Sequence, residues 1–403
     1  MTGRVPLLAV VAVLALFAGI TGVRLAYALA YALFLLVVVA WVWSRVLASS
    51  LEVRRQPPAG AHMVGEAFTE TFTVHNRSLL ILPHCEIYDR TPLPGYAPGR
   101  ACALSPRGST TWTTHGVFSL RGKHTFGPLD VRLGDPFGLF PRTLRLPETG
   151  AVTVYPAIRP VGDFPGPTWL GGALGDTNRG RVLDVAPEVS SVRDYASSDG
   201  LNRIHWPSTA RTGRLISRLY ESQQSSDLLI LLDLGRGIHV GEPPESTLEY
   251  AISLVASISH AALARGQGVG LVASDRRGTT IGVGHGDTQR MRILDFLATA
   301  QDTGRQPIAT IIAKHGRGSR GRGGLVVVTS DRDHAWVESL VEVGMRGQRH
   351  LAVLVEPTSF GATGPVMRVP AAWRLSLDWW VVRRGDAFSA TPRRRLASVG
   401  GRG

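Results

Sequence analysis

The chain has 403 residues, which at roughly 150 residues per domain allows two or three folded units and excludes a single small domain. Hydrophobic residues make up 44% and charged residues only 19%, a balance that excludes intrinsic disorder and indicates that part of the chain lies in lipid. Lys and Arg total 44 against 31 Asp and Glu, and the resulting charge of +13 favours an anionic neighbour, either a membrane surface or a nucleic acid.

Several classes of site are excluded by missing motifs. The two cysteines, Cys85 and Cys102, are too few for a disulfide scaffold, and no CxxC motif provides the usual zinc framework. The sequence also has no GxSxG, HExxH or GxxxxGK[ST] pattern. It therefore offers no recognisable serine nucleophile, zinc hydrolase centre or phosphate-binding loop.

The N-terminal region contains two uncharged apolar runs. Val5 to Val23 and Leu25 to Trp43 each have 19 residues, and Arg24 stands alone between them. A helix of that length extends about 28 Å, close to the thickness of the hydrocarbon core of a bilayer. We therefore predict a two-helix membrane hairpin over residues 1–48, with the lipid bilayer as a partner.

Flanking arginines indicate the orientation of this hairpin. Arg4 precedes the first run, and Arg45, Arg54 and Arg55 follow the second. Because positive residues favour the cytoplasmic side, we expect a multi-pass protein of the cell membrane whose large C-terminal region is cytoplasmic. The alternative is a cleaved signal peptide, but its small-residue cleavage site at residues 28–30 lies inside the second apolar run.

Residues 49–160 have the pattern of a small all-β, sandwich-like domain. Short β-prone runs such as Phe68 to Val74, Thr110 to Thr114 and Leu129 to Leu133 are separated by turn signals rich in Pro, Gly and Asn. The stretch that follows, residues 161–190, is rich in Gly and Pro and is predicted to be a linker or long surface loop.

Residues 191–390 comprise an arginine-rich segment and, beyond Ser225, alternating strands and helices, and residues 391–403 form a basic tail. Such alternation predicts a doubly wound α/β sheet with right-handed crossovers. Four continuous apolar runs have the length of buried parallel strands: Leu228 to Leu232, Val269 to Ala273, Leu325 to Thr329 and Leu351 to Val355.

Helix signals lie between these strands. Ser246 and Glu249 form a capping box at the start of the first helix, which is expected to end at Gly266. Asp287 and Asp333 are predicted to cap two further helices.

An acid follows each of the four predicted strands: Asp233, Asp275, Asp331 and Glu356. The carboxyl ends of strands border the ligand crevice of an open α/β sheet, and converging carboxylates suit Mg²⁺. On that basis Asp233, Asp331 and Asp275 are candidate metal ligands, and a metal-assisted hydrolase using Asp233 and Asp331 is one possible function. The competing interpretation is that these acids only cap helices or close turns.

A second cluster combines arginines, acids and aromatic residues. Two readings of it are open: stacking and pairing with a nucleic-acid strand, or a satisfied polar network that fixes this segment onto a domain. Asp194 and Glu221 lie in the same stretch and can neutralise it, which favours the network. Its candidate residues are Arg193, Tyr195, Asp199, Arg203, His205, Trp206 and Arg211.

Two segments resemble a bacterial family of unknown function, DUF58. One runs from Arg121-Gly122 through Gly127-Pro128 to Asp135-Pro136-Phe137-Gly138, and the other is the arginine cluster just described. The resemblance implies a membrane hairpin, a β domain and a von Willebrand factor A-like domain, and a MoxR-type AAA+ ATPase as protein partner. The family that it resembles has no assigned enzymatic activity.

The sequence departs from the metal-binding pattern of A-like domains. Their first strand is followed by Asp-x-Ser-x-Ser, whereas this chain has Asp233-Leu234-Gly235-Arg236-Gly237. Two glycines replace both hydroxyl ligands and an arginine adds positive charge, so Mg²⁺ is expected to bind weakly or not at all. We therefore predict a membrane-anchored, non-enzymatic interaction or scaffold protein without a cofactor, with a nucleic-acid binder or metal-assisted hydrolase as alternatives.

Overall fold

The computed structural model forms two compact units, the first mainly of residues up to Ile158 and the second mainly of residues from Arg159 onward. Most of the predicted linker 161–190 and all of the basic tail 391–403 lie outside the described residues. The structure describes residues 4–147, 150–161, 189–194, 204–220, 227–316, 324–344, 349–367 and 377–388.

The first unit begins with the two apolar helices that the sequence predicts. Helix α1 covers Arg4–Thr21 and helix α2 covers Arg24–Ser50. They are joined at Gly22, whose positive φ of 70° suits glycine. By length and apolar composition, α2 is one of two helices in the described residues that could cross a membrane, and the other, Thr247–Ala264, is mostly buried inside the protein.

The C-terminal end of α2 packs into the β domain. Leu47 is 1% exposed within its apolar core, the Trp43 indole N–H donates to the Ile81 carbonyl oxygen at 3.0 Å, and the Ser44 hydroxyl donates to the Phe140 carbonyl oxygen at 2.6 Å. The last two turns of α2 therefore belong to the β domain, and the predicted boundary at residue 48 cuts through them.

The described residues of the β domain form ten strands in three sheets. The sheet orders are β1-β3-β6, β5-β4-β8-β9 and β2-β10-β7. Side chains from the first two sheets share one apolar core around Phe72, Trp112 and Val131. The strands are β1 (Leu51–Gln56), β2 (Ala61–Met63), β3 (Ala67–Asn76), β4 (Leu82–Asp89), β5 (Arg100–Leu104), β6 (Ser109–Val117), β7 (Gly122–Phe126), β8 (Leu129–Leu133), β9 (Arg142–Leu146) and β10 (Gly150–Tyr155).

Arg55 has a different environment from the one that its sequence position suggests. It was predicted to flank the membrane, but it lies in β1 with its side chain 1% exposed and paired with Glu70 and Asp89. Arg55 Nη2 lies 3.1 Å from Glu70 Oε2 and 2.6 Å from Asp89 Oδ2. Two acids therefore compensate this buried cation, which is an internal element of the β domain.

The second unit begins with the family motif segment and continues into a mixed six-stranded sheet. Strands β11 (Val189–Asp194) and β12 (Ile216–Tyr220) pair antiparallel, and the short helix α3 (Trp206–Thr212) lies between them in the chain. The unit has the following helices and strands in chain order. They are β11 (Val189–Asp194), α3 (Trp206–Thr212), β12 (Ile216–Tyr220), β13 (Leu228–Leu232), β14 (Gly241–Glu242), β15 (Glu245–Ser246), α4 (Thr247–Ala264), β16 (Val269–Ala273), β17 (Thr280–Gly284), α5 (Gly286–Thr299), α6 (Ile308–His315), β18 (Gly324–Thr329), α7 (Ala335–Gly344), β19 (Arg349–Val355) and β20 (Asp378–Val382).

The sheet has the order β17-β16-β13-β18-β19-β20. Numbered by appearance in the chain, this is 3-2-1-4-5-6, the order of doubly wound α/β sheets. Its strand pairs are parallel except for β16 with β17, which is antiparallel. The four predicted apolar runs form its central strands β13, β16, β18 and β19.

The predicted helix caps are right for one helix and wrong for two. The hydroxyl of Ser246 accepts a hydrogen bond from Glu249 N at 3.2 Å and caps α4. Asp287 lies inside the first turn of α5 rather than before it. Asp333 lies two residues before α7 and accepts from His334 N at 2.6 Å, so it orders the approach to that helix instead of capping it.

Candidate functional site

The candidate site lies at the carboxyl ends of β13, β16 and β18. The chain passes from β13 outward to β16 on one side, and from β18 outward to β19 on the other. This reversal is the topological switch point, where open α/β sheets bind ligands beyond the ends of their strands. The residues that follow these strands therefore determine what this edge can bind.

Asp233 follows β13 and is 2% exposed. Its Oδ1 accepts hydrogen bonds from Ser274 Oγ at 2.9 Å and Gly235 N at 3.0 Å, and its Oδ2 accepts one from Thr329 Oγ1 at 2.6 Å. Ser274 follows β16 and Thr329 ends β18. One carboxylate thus joins the ends of three neighbouring strands.

Both hydroxyls are held by backbone amides as well. Ser274 Oγ accepts from Leu234 N at 2.6 Å, and Thr329 Oγ1 accepts from Asp331 N at 2.9 Å. Each hydroxyl therefore has an amide donor on one side and directs its own proton to Asp233. The arrangement is a closed hydrogen-bond network among strand ends.

Burial raises the pKa of Asp233 above its ordinary value, because a charged carboxylate loses its hydration there. The hydrogen bonds from Thr329, Ser274 and the Gly235 amide oppose this rise by stabilising the charged form. His239, which donates from Nε2 to the Asp233 carbonyl oxygen at 3.0 Å, acts in the same direction.

Asp275 and Asp331 stand at neighbouring strand ends, as predicted, but their carboxylates serve local turns. Asp275 Oδ1 accepts from Thr279 N and its Oδ2 from Thr279 Oγ1, both at 2.7 Å. Asp331 Oδ1 accepts from Asp333 N at 3.0 Å. Within the described part of the chain, no group of three or more His, Cys, Asp or Glu side chains is placed to hold one metal ion.

The fourth strand-end acid, Glu356, is a cap. It accepts from Thr358 N at 3.2 Å at the start of a 3-10 turn, Pro357–Phe360. For Glu356 and Asp275 the structure therefore supports the turn and cap interpretation of these acids.

Three loops are tied together above the strand ends. Gly235 and Gly304 form a parallel bridge, and Arg236 N donates to the Gly304 carbonyl oxygen at 3.0 Å. Arg276 N approaches Thr303 Oγ1 at 3.4 Å. A Cβ at Gly304 would lie 1.9 Å from a backbone oxygen of the loop after β16, so only glycine permits this approach.

The loops present arginines to solvent. Arg236 follows β13, Arg276 and Arg277 follow β16, and Arg305 lies next to Gly304; all four side chains are exposed. Among the described residues none of these four arginines forms an ion pair with an acid. We call these four residues the arginine edge. Sequence reasoning missed it, although Arg236 and Arg277 stand beside glycines directly after predicted strands.

The family motif cluster is only partly described. His205 Nδ1 lies 2.6 Å from Ser208 Oγ, and His205 N donates to the Ile216 carbonyl oxygen at 2.7 Å. Trp206 begins α3 and is 63% exposed, and Arg211 is exposed in the last turn. The Arg193 side chain and residues Tyr195, Asp199 and Arg203 lie outside the described residues, so the network predicted for them stays a prediction.

Residues 191–358, from β11 to the 3-10 turn, match the family model described as "Protein of unknown function DUF58". This segment of the chain is similar to the DUF58 family. Uncharacterized protein YeaD of Bacillus subtilis (strain 168) is 25% identical over 229 residues, which are 56% of this chain and 54% of that protein. The chain thus spans about half the length of the curated relative that it matches.

Solved structures share only partial likeness with this chain. The CARDB domain of PF1109 from Pyrococcus furiosus is 16% identical, with 26% of this chain and 86% of that chain covered and a TM-score of 0.19. The FixG-related protein from Vibrio parahaemolyticus is 10% identical, covers 26% of this chain and 96% of its own, and has a TM-score of 0.18. Scores of this size support no argument about fold or function.

Proposed function

We propose that this chain is a membrane-anchored, non-enzymatic docking protein: a two-span hairpin fixes it in the cell membrane, and a cytoplasmic von Willebrand factor A-like unit binds a protein partner. The strand order 3-2-1-4-5-6 with an antiparallel edge strand supports the A-like assignment. The observation that carries the docking role is the arginine edge around the closed Asp233 network.

The surfaces of α1 and α2 support the membrane anchor. Contiguous exposed apolar surface of this extent marks contact with lipid or with another protein, and a bilayer fits the length of α2. The exposed large apolar side chains are Leu8, Val10, Val13, Leu16, Phe17, Ile20, Leu25, Tyr27, Leu29, Tyr31, Phe34, Leu35, Val38, Val39, Trp41 and Val42.

The placement of arginines supports a cytoplasmic C-terminal region. Arg45 and Arg54 are exposed near the end of α2, and Arg4 begins α1. With Arg55 buried, these three residues remain as flanking charges of the kind that cytoplasmic segments carry. A reporter fused after Gly403 should be active in the cytoplasm, and periplasmic activity would contradict this orientation.

The donor set around Asp233 argues against a Mg²⁺ site. Mg²⁺ takes about six oxygen ligands and usually keeps several waters, but Asp233 is almost fully buried and both of its oxygens already accept hydrogen bonds. Gly235 and Gly237 add no side-chain oxygen. The hydrogen bonds occupy both oxygens of Asp233, and Asp275 serves its own turn, which supports a docking role over metal-assisted hydrolysis.

The arginine edge is suited to an acidic protein segment. Arginine pairs with carboxylates in bidentate geometry, and four exposed guanidinium groups lie on three connected loops. The loops at residues 234–239, 274–279 and 301–306 contain no Phe, Tyr or Trp, so the stacking platform of a single-strand nucleic-acid site is missing from them. Family resemblance suggests a MoxR-type AAA+ ATPase as the protein that supplies the acidic segment.

Charge reversal tests this proposal. The variant Arg236→Glu with Arg305→Glu should lose its partner in affinity purification from solubilised membranes, because like charges then face the acidic segment. Arg292→Glu on α5 is the matched control, since Arg292 is also exposed but lies outside the three loops. Equal recovery of partner proteins with the wild type and the double variant would contradict docking at this edge.

A further inference from the structure

Apart from α1 and α2, the first unit exposes large apolar side chains on two of its loops. Leu79 is 71% exposed and Ile81 49% in the loop between β3 and β4, and Phe137 is 55% exposed in the loop between β8 and β9. Single exposed apolar residues need no explanation, but these three belong to two loops that contact successive residues of α2 at one end of the β domain.

Both loops contact the membrane-length helix. Trp43 of α2 donates to the carbonyl oxygen of Ile81, and Ser44, the next residue, donates to that of Phe140. A small apolar gap is lined by Leu7 and Leu8 of α1, Val37 of α2, and Leu139 and Phe140 of the second loop. The apolar tips of the two loops therefore continue the apolar surface of the helices.

Hydrogen bonds hold the loop around Phe137 in a fixed conformation. The Asp135 carboxylate, 4% exposed as a residue, accepts from Phe137 N at 3.0 Å, Leu139 N at 3.2 Å and Phe140 N at 2.6 Å. A loop organised in this way holds Phe137 outward instead of letting it fold into the core.

The loop around Leu79 is organised by Asn76. Asn76 Nδ2 donates to the Leu80 carbonyl oxygen at 2.8 Å, and Asn76 Oδ1 accepts from Ser78 Oγ at 2.7 Å. Asn76 is fully buried. Leu79 and Ile81 thus project from a fixed loop, as Phe137 does.

Exposed arginines lie beside these apolar tips. Arg45 follows Trp43 and Ser44 in α2, and its guanidinium lies 4.8 Å from the centre of the Trp41 ring. Arg107 N donates to the Ser78 carbonyl oxygen at 3.0 Å, which places Arg107 next to the Leu79 loop. Apolar side chains with flanking arginines are the combination that binds an anionic membrane interface.

We propose that this end of the β domain is a lipid-binding surface, which inserts Leu79, Ile81 and Phe137 into the bilayer interface while Arg45 and Arg107 pair with the phosphates of anionic phospholipids. The inference rests on the membrane anchor proposed above and extends it from the helices to a folded domain. The loops of the β domain then contact the bilayer directly, in addition to the connection through α2.

Photo-crosslinking to lipid tests the proposal on the full chain in nanodiscs. A benzoylphenylalanine introduced at Leu79 or Phe137 should form adducts with phospholipid that mass spectrometry detects. Val117, also exposed, is the matched control: it pairs with Ala67 at the end of β3 opposite to Asn76, about 30 Å from the Leu79 loop at roughly 3.3 Å per residue. No lipid adduct is expected there.

A fourth position separates failure of this inference from failure of the anchor. Phe34, exposed in the middle of α2, should form lipid adducts if α2 is in the bilayer. Adducts at Phe34 without adducts at Leu79 and Phe137 would overturn the lipid-binding surface alone. Absence of adducts at Phe34 would overturn the anchor, and crosslinks from Leu79 to a second copy would assign this surface to self-association instead.

The arginines have a separate readout. In nanodiscs that mix zwitterionic and anionic phospholipids, adducts at Leu79 should be enriched in the anionic lipid by roughly five-fold for each arginine near the surface. The variant Arg45→Gln with Arg107→Gln should lose that enrichment and keep the adducts themselves. Unchanged enrichment would contradict pairing of these arginines with lipid phosphate.

Discussion

Replacement of Asp233 by alanine should destabilise the second unit, because it removes the acceptor shared by Ser274, Thr329 and the Gly235 amide. A buried donor left without an acceptor costs about 1–3 kcal/mol, and removal of a buried charge offsets part of the sum, so we expect a net loss of about 2–4 kcal/mol. Asp233→Asn keeps the size and one oxygen acceptor and should remain within about 1 kcal/mol of the wild type.

The assay is urea unfolding of the full chain in detergent, followed by pulse proteolysis that reports the fraction of the α/β unit still folded. The unfolding curve is measured twice, once with excess Mg²⁺ and once with a chelator in place of Mg²⁺. A metal site saturated at 100 times its Kd would stabilise the wild type by about 2.7 kcal/mol, and the Asp233→Ala variant not at all. We expect no Mg²⁺ effect on either protein.

The pH dependence adds an independent check. Since burial raises the pKa of Asp233, the folded state holds this proton more tightly than the unfolded state does. This tighter binding of the proton stabilises the folded state in full when the pH is below the pKa of Asp233 in the unfolded state, about 3.9. The stabilisation is lost as the pH rises through the pKa of Asp233 in the folded state. Asp233→Asn should lack this contribution. Mg²⁺ stabilisation that disappears in Asp233→Ala, or full stability of that variant, would refute the reasoning.

Two further predictions concern the β domain. Arg55→Met leaves Glu70 and Asp89 buried without a cation and should cost about 3–5 kcal/mol in the same urea titration, read this time from the proteolytic fragments of the β domain. Arg54→Met, at an exposed position, should cost less than about 0.5 kcal/mol, and equal losses would contradict the buried cluster. A hydrogen bond with Cys85 lowers the pKa of Cys102 below its ordinary value, so its alkylation, followed by peptide mass spectrometry, should reach half its maximal rate at a pH below that of a free thiol. A midpoint near the ordinary value of about 8.5 would contradict the interaction.

The central strands could be predicted because buried parallel strands are continuous apolar runs. β17 could not: its sequence Thr280–Gly284 is mostly exposed and contains two glycines, and only pairing with β16 makes it a strand. Helix α6, with eight residues, is too short to display a helical period clearly. β20 became a strand through its pairing with β19 at the other edge.

Long-range partners explain the errors at the charged positions. The place of Arg55 directly after the apolar run predicts a position at the membrane boundary. Its two acidic partners are 15 and 34 residues away in the sequence, so the spacing of residues does not reveal them. The strand-end acids were correctly placed at one edge, yet the spacing of Asp233 and Asp275 does not reveal that one binds hydroxyls across strands and the other closes its own turn. The arginine edge depends on Gly304 meeting Gly235, a contact between segments far apart in the chain.

The junction between α2 and β1 has a mechanical consequence. Helix α2 ends at Ser50 and β1 begins at Leu51, so no tether separates the two elements. Because each helical residue turns by about 100° and rises about 1.5 Å, the orientation of the β domain about the helix axis depends on the number of residues in α2. Adding one residue to the helix would move the domain by only about 1.5 Å along the helix axis. It would also turn the domain by about 100° about the axis of the helix.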